Sequence, residues 1–233
     1  MKKYVELGYP VTPGYPPLPV GCPNVTLTED LAAGAPWNGS VLNIHLHGGT
    51  HMDAPWHYIG GDSAKMDNME AIPTSHFVYD HPIVINITPT GENYLITPED
   101  VQAYGEEIYE ADAIIFNTGN YKKYRENFMG YAIGAPSVGP KAALWIRENL
   151  PKVKMVGIDA AGIENLSEGF GASDGYQTHK AFLDPAKPNS IILIIEYVNT
   201  EPLIGKKLLR AFTAPVRTPA DASIVNIIAE VED

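Results

Sequence analysis

Three histidines and one aspartate fall within eleven consecutive residues, in the stretch His-Gly-Gly-Thr-His-Met-Asp-Ala-Pro-Trp-His that runs from His47 to His57. Imidazole nitrogens and carboxylate oxygens are groups with which proteins bind divalent ions such as zinc. His47 and His51 have the spacing of zinc ligands on a helix, but the two glycines between them and Pro55 disfavour a continuous helix. The sequence therefore predicts an extended or looped segment.

An extended segment would direct the four side chains to one face, because their positions have the same parity. At about 3.3 Å per residue, however, His47 and Asp53 would stand roughly 20 Å apart, whereas the ligands of one ion lie within about 4 Å of each other. The backbone must turn back, and the Gly48-Gly49 pair permits such a turn. We therefore expect a metal site formed by His47, His51 and Asp53.

The same stretch resembles the signature His-x-Gly-Thr-His-x-Asp-x-Pro-x-His of the cyclase-like metal-dependent hydrolases, a family that includes bacterial kynurenine formamidase and isatin hydrolase. Every fixed position of the signature is present. The resemblance implies that the last histidine, His57, is catalytic. It also implies that His179 and Glu196 are metal ligands, and that Asp53 and Glu196 match two carboxylates that bridge a pair of ions.

Four other polar residues can be interpreted from their positions in the chain. Glu196 follows the apolar run 191–195, where a carboxylate is costly unless it is paired or metal-bound. His45 stands alone beside the apolar run 41–44 and is expected to be structural. Asp159 and Glu164 follow a predicted strand, and turn or cap roles are favoured for both over metal ligation.

Two aromatic residues are candidates for substrate contacts. The resemblance implies that a proline-rich N-terminal arm, residues 10–23, helps to wall the substrate pocket, and Tyr15 is the candidate there. Trp56, beside His57, could stack on an aromatic substrate, although packing alone would also explain it.

The chain of 233 residues carries a formal net charge of -12 at pH 7. An acidic balance disfavours nucleic acid and anionic membranes as partners, so a small molecule is the expected ligand. No apolar run reaches the eighteen or so residues of a membrane span, and no signal-peptide core follows Met1, so we expect a cytoplasmic protein. Cys22 is the only cysteine, which excludes an intrachain disulfide and favours a structural thiol. One domain is expected over residues 1–233, in a homodimer or a homotetramer.

Apolar runs and turn signals predict an alternation of strands and helices. Strands are expected at residues 4–7, 41–46, 82–87, 111–116, 153–158, 191–198, 208–216 and 223–231. Helices are expected from Pro98, with Thr97 as N-cap, and over residues 139–149. This pattern predicts an α/β fold with a mixed β-sheet and flanking helices, and the resemblance implies the β/β/α swivelling arrangement of the family.

Two histidines and one carboxylate also describe the site of a non-haem iron oxygenase, so metal binding alone does not define the reaction. Adding His57, His179 and Glu196 would give a set able to hold two ions about 3.5–4 Å apart, which favours hydrolysis. Metal coordination can lower the pKa of water from about 15.7 towards 7, and the same ions polarise a carbonyl group. His57 would then carry the proton that a leaving amide nitrogen must accept.

We therefore predict a metal-dependent hydrolase that uses a metal-activated hydroxide to cleave an amide bond of a small molecule, with an aryl-formamide such as N-formylkynurenine as the substrate. The cofactor is expected to be one or two divalent ions per subunit, with zinc favoured and manganese as the alternative. A hydrolase of cyclic amides or lactones, of the isatin type, is the alternative among hydrolases. A mononuclear iron oxygenase and a non-catalytic metal-binding or ligand-binding protein are the alternatives from other classes.

Overall fold

The computed structural model describes residues 1–16, 22–59, 67–167 and 175–233. These ranges contain fourteen strands and five α-helices, besides short 3-10 turns. The strands are β1 Lys2–Glu6, β2 Asn24–Glu29, β3 Gly39–Asn43, β4 His51–Asp53, β5 Val78–Tyr79, β6 Pro82–Asn86, β7 Leu95–Ile96, β8 Ala113–Asn117, β9 Ser137–Val138, β10 Met155–Ile158, β11 Leu193–Glu196, β12 Lys207–Thr213, β13 Ala222–Ile224 and β14 Ile227–Glu232. The helices are α1 Pro98–Gln102, α2 Lys123–Glu126, α3 Phe128–Ala132, α4 Pro140–Asn149 and α5 Gln177–Leu183.

A six-stranded mixed sheet, in the order β13-β4-β11-β10-β8-β6, forms the middle of the molecule. Strands β6, β8, β10 and β11 run parallel to one another, and helices occur in the long connections that parallel strands require. At one edge of the sheet, β4 pairs antiparallel with β11, and β13 pairs antiparallel with β4. The candidate site lies at this junction between the parallel and antiparallel parts.

Alternate residues of the parallel strands face two different cores, as expected for strands buried on both faces. In β8, Ile114 and Phe116 face a core that is closed by the helices, where Ile146 of α4 is fully buried. Ala113 and Ile115 of the same strand face a second core. The four-stranded antiparallel sheet β1-β14-β12-β5 closes that second core.

The molecule is therefore built of three layers, in the order sheet, sheet, helices. This arrangement confirms the predicted α/β class and the β/β/α order. The predicted helix start is also confirmed: the side chain of Thr97 accepts a hydrogen bond from the backbone N–H of Asp100, and the carboxylate of Asp100 accepts one from Thr97. No helix in the described ranges is long and apolar enough to cross a membrane.

Two predicted strands differ from the observed ones. The run 223–231 is divided, because β13 joins the six-stranded sheet whereas β14 joins the four-stranded sheet. Between them, the backbone N–H of Val225 donates to the carbonyl oxygen of Thr50. The strand expected at 41–46 ends at Asn43 and pairs with β2 in a hairpin whose residues are mostly exposed. Consequently β4, rather than that strand, carries the central part of the signature.

Candidate metal centre and active site

The signature stretch forms a turn, a short strand and a 3-10 helix in succession. Its strand, β4, lies between β11 and β13. Met52 packs in the core between the two sheets, so the alternation of a strand directs His51 and Asp53 to the helix side. Both side chains lie beside the carboxyl end of β11, the kind of edge where α/β sheets bind ligands.

A tight turn before β4 brings His47 back to Asp53. Gly49 adopts a φ of 113°, a conformation that favours glycine. The backbone N–H of Gly48 donates to the carbonyl oxygen of His45 at 2.8 Å. As a result, Nδ1 of His47 lies 3.1 Å from Oδ1 of Asp53. The reversal expected from the glycine pair is therefore present.

Strand register brings Glu196 to the same place. Glu196 of β11 lies opposite His51 in an antiparallel pair, and directly opposite residues share one face of a sheet. Oε2 of Glu196 is 3.4 Å from Nε2 of His51. The next residue, Tyr197, has a φ of 57°, and this left-handed turn follows the end of the strand at Glu196.

Helix α5 contributes His179. Nε2 of His179 lies 3.4 Å from Oε1 of Glu196 and 3.7 Å from Oδ2 of Asp53. Behind the ring, the carboxylate of Glu164 accepts the backbone N–H of Thr178 at 2.7 Å and also contacts Nδ1 of His179. Glu164 therefore has the cap role favoured from the sequence and, in addition, fixes the orientation of His179.

Asp53 and Glu196 each divide their two oxygens between neighbouring imidazoles. Oδ1 of Asp53 faces His47 and His51, whereas Oδ2 faces His179. Oε2 of Glu196 faces His51, whereas Oε1 faces His179. Each carboxylate can therefore serve two adjacent positions, as in sites that hold a pair of metal ions.

The outer nitrogen of each of these three imidazoles meets a hydrogen-bond acceptor. Nδ1 of His51 lies 2.8 Å from a backbone carbonyl oxygen, Nε2 of His47 lies 3.0 Å from Oδ2 of Asp221, and Nδ1 of His179 contacts Glu164. Carbonyl and carboxylate oxygens only accept, so the inner nitrogen of each neutral ring carries a lone pair. Metal-bound histidines are usually oriented in this way.

The inner atoms suit a divalent cation. Within the described ranges, Nε2 of His51 and both carboxylate oxygens of Asp53 are buried without a hydrogen-bond partner. Two groups, His47 with His51 and Asp53, and Asp53 with His57 and His179, each offer three ligand atoms that lie within 4.8 Å of one another. A donor set of imidazoles and carboxylates without thiolate fits ions such as Zn²⁺ and Mn²⁺.

The electrostatics of the cluster lead to the same conclusion. Burial by itself would lower the pKa of His51 and of His179, but the neighbouring carboxylates raise each pKa to about 10. Burial would raise the pKa of Glu196, but the neighbouring imidazoles of His179 and His51 lower it to about 2. The buried carboxylates are therefore ionised and need positive charge beside them, which protons or a metal ion can provide.

His57 lies next to the cluster on the 3-10 helix Pro55–His57. Its ring centroid is 4.2 Å from that of His47 and 5.8 Å from that of His179. Nδ1 of His57 is 3.0 Å from Oδ2 of Asp221. His57 is therefore close enough to the cluster either to bind an ion or to move a proton, and its role stays a prediction.

A cavity of about 330 Å³ opens on the cluster, large enough for a small molecule. Tyr58 and Tyr176 form an aromatic wall, with ring centroids 4.8 Å apart, and the ring of Tyr58 lies 4.2 Å from that of His179. The lining residues are His45, His47, His57, Tyr58, Ala161, Gly162, Leu166, Tyr176, His179, Glu196 and Asp221. A larger groove, of about 760 Å³, runs along β6 and has none of the clustered histidines in its lining.

The two predicted substrate contacts lie elsewhere among the described residues. Tyr15 packs edge-on against Tyr124 and Phe128, and its hydroxyl donates to the carbonyl oxygen of Tyr124. Trp56 is half-buried and, like Tyr15, is absent from the described lining of the cavity. Their substrate-binding roles stay predictions. Residues 17–21 of the proline-rich arm lie outside the described ranges.

Sequence reasoning did not identify Asp221, Tyr58 or Tyr176 as site residues. Asp221 stands two residues before the predicted strand at 223–231, and an acidic residue beside a strand end was the available signal. Tyr58 directly follows His57, so its aromatic side chain next to the signature was a second signal. Tyr176 gave no local signal, because its position depends on how α5 packs.

The three-layer fold and this cluster define an α/β protein with a candidate divalent-metal centre at a sheet edge. Comparison with known families makes the class more specific. A family model described as "Putative cyclase" matches residues 5–165. Because that match covers more than half of the chain, the chain belongs to the Cyclase family.

Individual proteins and solved structures are also similar to this chain. An uncharacterized protein of Haemophilus influenzae is 30% identical over 124 residues, which cover 53% of this chain and 83% of the relative. The fold is similar to that of isatin hydrolase A from Labrenzia aggregata, with a TM-score of 0.79 and 17% identity over 100% of this chain and 94% of the other. It is also similar to a predicted metal-dependent hydrolase from Bacillus stearothermophilus, with a TM-score of 0.69 and 24% identity over 99% of this chain and 98% of the other.

Proposed function

We propose that this chain is a metal-dependent hydrolase that cleaves an amide bond of a small molecule, with an aryl-formamide such as N-formylkynurenine as the first candidate substrate. The observation that carries the proposal is the division of the Asp53 and Glu196 oxygens between neighbouring imidazoles. That geometry suits two adjacent ions better than a single one. Membership of the Cyclase family supports the same class of chemistry.

In this proposal His47, His51, Asp53, His179 and Glu196 hold the ions. When bound, divalent ions at these residues would polarise a carbonyl group and lower the pKa of a water molecule. Zinc is the first candidate, because imidazoles predominate, and manganese is the alternative, because two carboxylates take part. One or two ions per chain are expected.

The protein's own side chains perform the remaining steps. His57 accepts a proton from the attacking water and later donates a proton to the leaving nitrogen, because an amide nitrogen leaves readily only after protonation. Tyr58 and Tyr176 bound the cavity on one side and can hold a planar group by stacking. The cavity volume of about 330 Å³ is sufficient for a small molecule of one or two rings.

A cyclic amide of the isatin type is the second candidate substrate. The full-length fold similarity to isatin hydrolase A favours it, and a planar bicyclic ring suits an aromatic wall. Opening a cyclic amide breaks the C–N bond, but the leaving nitrogen stays attached to the product through the rest of the ring. The cavity must therefore hold a longer, opened molecule, whereas cleavage of a formamide gives two separate products.

Metal analysis combined with a substrate screen tests the proposal. The purified chain would be analysed for bound metals, stripped with a chelator, reloaded with Zn²⁺ or Mn²⁺, and assayed with N-formylkynurenine, other N-formyl amides and isatin. We expect hydrolysis that disappears on stripping and returns on reloading. Fully loaded protein that cleaves none of these amides would refute the proposal.

The rival classes give different results in the same experiment. A mononuclear iron oxygenase would consume oxygen when loaded with Fe²⁺ and would bind a single ion. A non-catalytic metal-binding protein would bind ions and ligands without turnover of any of them. The expected small-molecule partner and the cytoplasmic location stay predictions from the sequence.

We further propose that the chain forms a homodimer or a homotetramer through the β2–β3 hairpin. An isolated two-stranded hairpin is only marginally stable in water, and this one exposes large apolar side chains, among them Trp37 at 60% and Val41 at 54%. Exposed apolar patches of this kind often mark protein interfaces. Light scattering should give a dimer or tetramer mass, and Val41→Asp should lower it; a monomeric mass for the unmodified chain would refute this proposal.

A further inference from the structure

We infer that Asp221 is a positioning residue that sets opposite tautomers on two histidines, so that His47 presents Nδ1 to the metal cluster and His57 presents Nε2 to the substrate. The effect of these tautomers on catalysis rests on the proposed function. Its structural content, the tautomers, can be measured independently of any substrate.

One carboxylate oxygen of Asp221 contacts both histidines. Oδ2 of Asp221 lies 3.0 Å from Nε2 of His47 and 3.0 Å from Nδ1 of His57. Both distances are typical of N–H···O hydrogen bonds. Because an ionised carboxylate only accepts, each of these ring nitrogens must carry a proton.

The other nitrogen of each ring then carries the lone pair. A neutral imidazole carries one N–H, so a proton on Nε2 of His47 leaves the lone pair on Nδ1. That atom lies 3.1 Å from Oδ1 of Asp53, and in the metal-loaded protein both atoms would be ligands of the ion rather than partners in a hydrogen bond. A proton on Nδ1 of His57 leaves the lone pair on Nε2, where it can accept a proton from the reacting molecule. One carboxylate thus makes one ring a ligand through Nδ1 and the other ring a base through Nε2.

Asp221 is held in place by its backbone. Its carbonyl oxygen accepts the backbone N–H of Ala54 at 2.8 Å, and the next residue, Ala222, pairs with Asp53 in the β13–β4 ladder. The backbone that carries Asp221 is therefore fixed to the strand that carries Asp53. Hydrogen bonds that hold a catalytic imidazole are effective when their supporting backbone is held in this way.

Among the described residues, no lysine or arginine forms an ion pair with Asp221. The two imidazoles also pack with centroids 4.2 Å apart and planes inclined by 30°. A single acceptor oxygen can reach both rings because they lie nearly face to face.

A tautomer measurement tests the inference. Protein labelled with ¹⁵N-histidine and loaded with Zn²⁺ would be studied by long-range ¹H–¹⁵N correlation spectra, with the seven histidines assigned from single His→Gln variants. We expect His57 to be protonated at Nδ1 and His47 at Nε2. In Asp221→Ala the Nδ1–H form of His57 should lose its dominance, and kcat should fall about 10–100-fold, the usual effect of removing a carboxylate that orients a site histidine.

Two further variants keep the test decisive. Asp221→Asn preserves shape and serves if the alanine variant does not fold, and Asp221→Glu should recover part of the lost rate. Asp80→Asn, at a surface carboxylate paired with Arg210, is the matched control and should leave both spectra and rate unchanged.

Two outcomes would overturn the inference. An unchanged His57 tautomer in both Asp221→Ala and Asp221→Asn would show that another group sets it. Loss of one full equivalent of Zn²⁺ from these variants would make Asp221 a ligand, since His47, His57 and Asp221 also offer ligand atoms within 4.8 Å of one another. If no amide is hydrolysed at all, the proposed function fails, whereas the tautomer result still stands by itself.

Discussion

Replacing Arg147 by methionine should lower the free energy of unfolding by about 3 kcal/mol, because a buried guanidinium then no longer binds the loop that follows α5. Arg147 lies on α4 and is 1% exposed. Its guanidinium donates to the carbonyl oxygen of Phe182 near the end of α5 and to those of four residues in the connection to β11, which are Asp184, Lys187, Pro188 and Asn189. In return the side chain of Asn189 donates to the carbonyl oxygen of Arg147 at 2.7 Å.

The magnitude follows from which of these bonds are strong and buried. Phe182 is fully buried and Asp184 is half-buried, so these two carbonyls lose the most. Hydrogen bonds to charged groups contribute about 1.5–3 kcal/mol each. The carbonyls of Lys187, Pro188 and Asn189 lie in exposed residues and can bind water instead. Methionine also avoids the cost of burying a charge, which lowers the sum to about 3 kcal/mol.

Urea and thermal unfolding would measure the loss. For a chain of this size, about 3 kcal/mol corresponds to a melting temperature lower by roughly 6–12 °C. Because the loop joins the helix of His179 to the strand of Glu196, Zn²⁺ affinity should fall as well. Arg210→Met, which removes an exposed ion pair with Asp80, is the control and should change stability by less than about 1 kcal/mol. A loss below 1 kcal/mol for Arg147→Met would refute this reasoning.

The remaining predictions concern single side chains. Asp53→Ala should remove bound metal and abolish hydrolysis while the far-UV circular dichroism stays native, and full metal occupancy in that variant would exclude Asp53 as a ligand. Glu196→Gln removes a charge that faces two imidazoles, so elemental analysis should find one ion fewer per chain; two tightly bound ions would contradict the bridging role. His57→Ala should keep at least one ion and lose about 10²–10⁴ in rate, whereas loss of all metal would identify His57 as a ligand. Burial and the nearby Lys154 lower the pKa of His76 below its usual value, so the unfolded state binds more protons and stability should fall as the pH drops through about 6.5. His76→Gln should weaken that dependence, and identical pH profiles with and without the substitution would show that His76 does not contribute to it.

The sequence by itself determined the local features of this protein. The glycine pair before β4 predicted the reversal that brings His47 to Asp53, because glycine readily adopts the positive φ that Gly49 has. The cap at Thr97 was also predictable, because its hydrogen bonds connect residues only three apart in the chain. The apolar runs of β8 and β10 predicted buried strands, and strands alternating with helices predicted the α/β class.

The tertiary structure decided which distant residues meet. Glu196 faces His51 because β11 and β4 pair in one particular register, and a shift of one residue would have turned its carboxylate to the opposite face. Asp221 reaches His47 and His57 because the apolar run after it is shared between two sheets. A pattern of apolar residues cannot indicate such a division, since both parts have the same alternation.

The same limit explains why the contact of Glu164 with His179 was not predicted and why Tyr176 gave no signal. Their roles depend on how α5 packs against the sheet, and the contact of Glu164 with His179 spans 15 residues, part of them loop. Local sequence determines turns, caps and strand faces because those interactions lie within a few residues. The identity of the residues around the metal centre depended on strand register and helix packing, which arise from hydrogen bonds and apolar contacts between segments far apart in the chain.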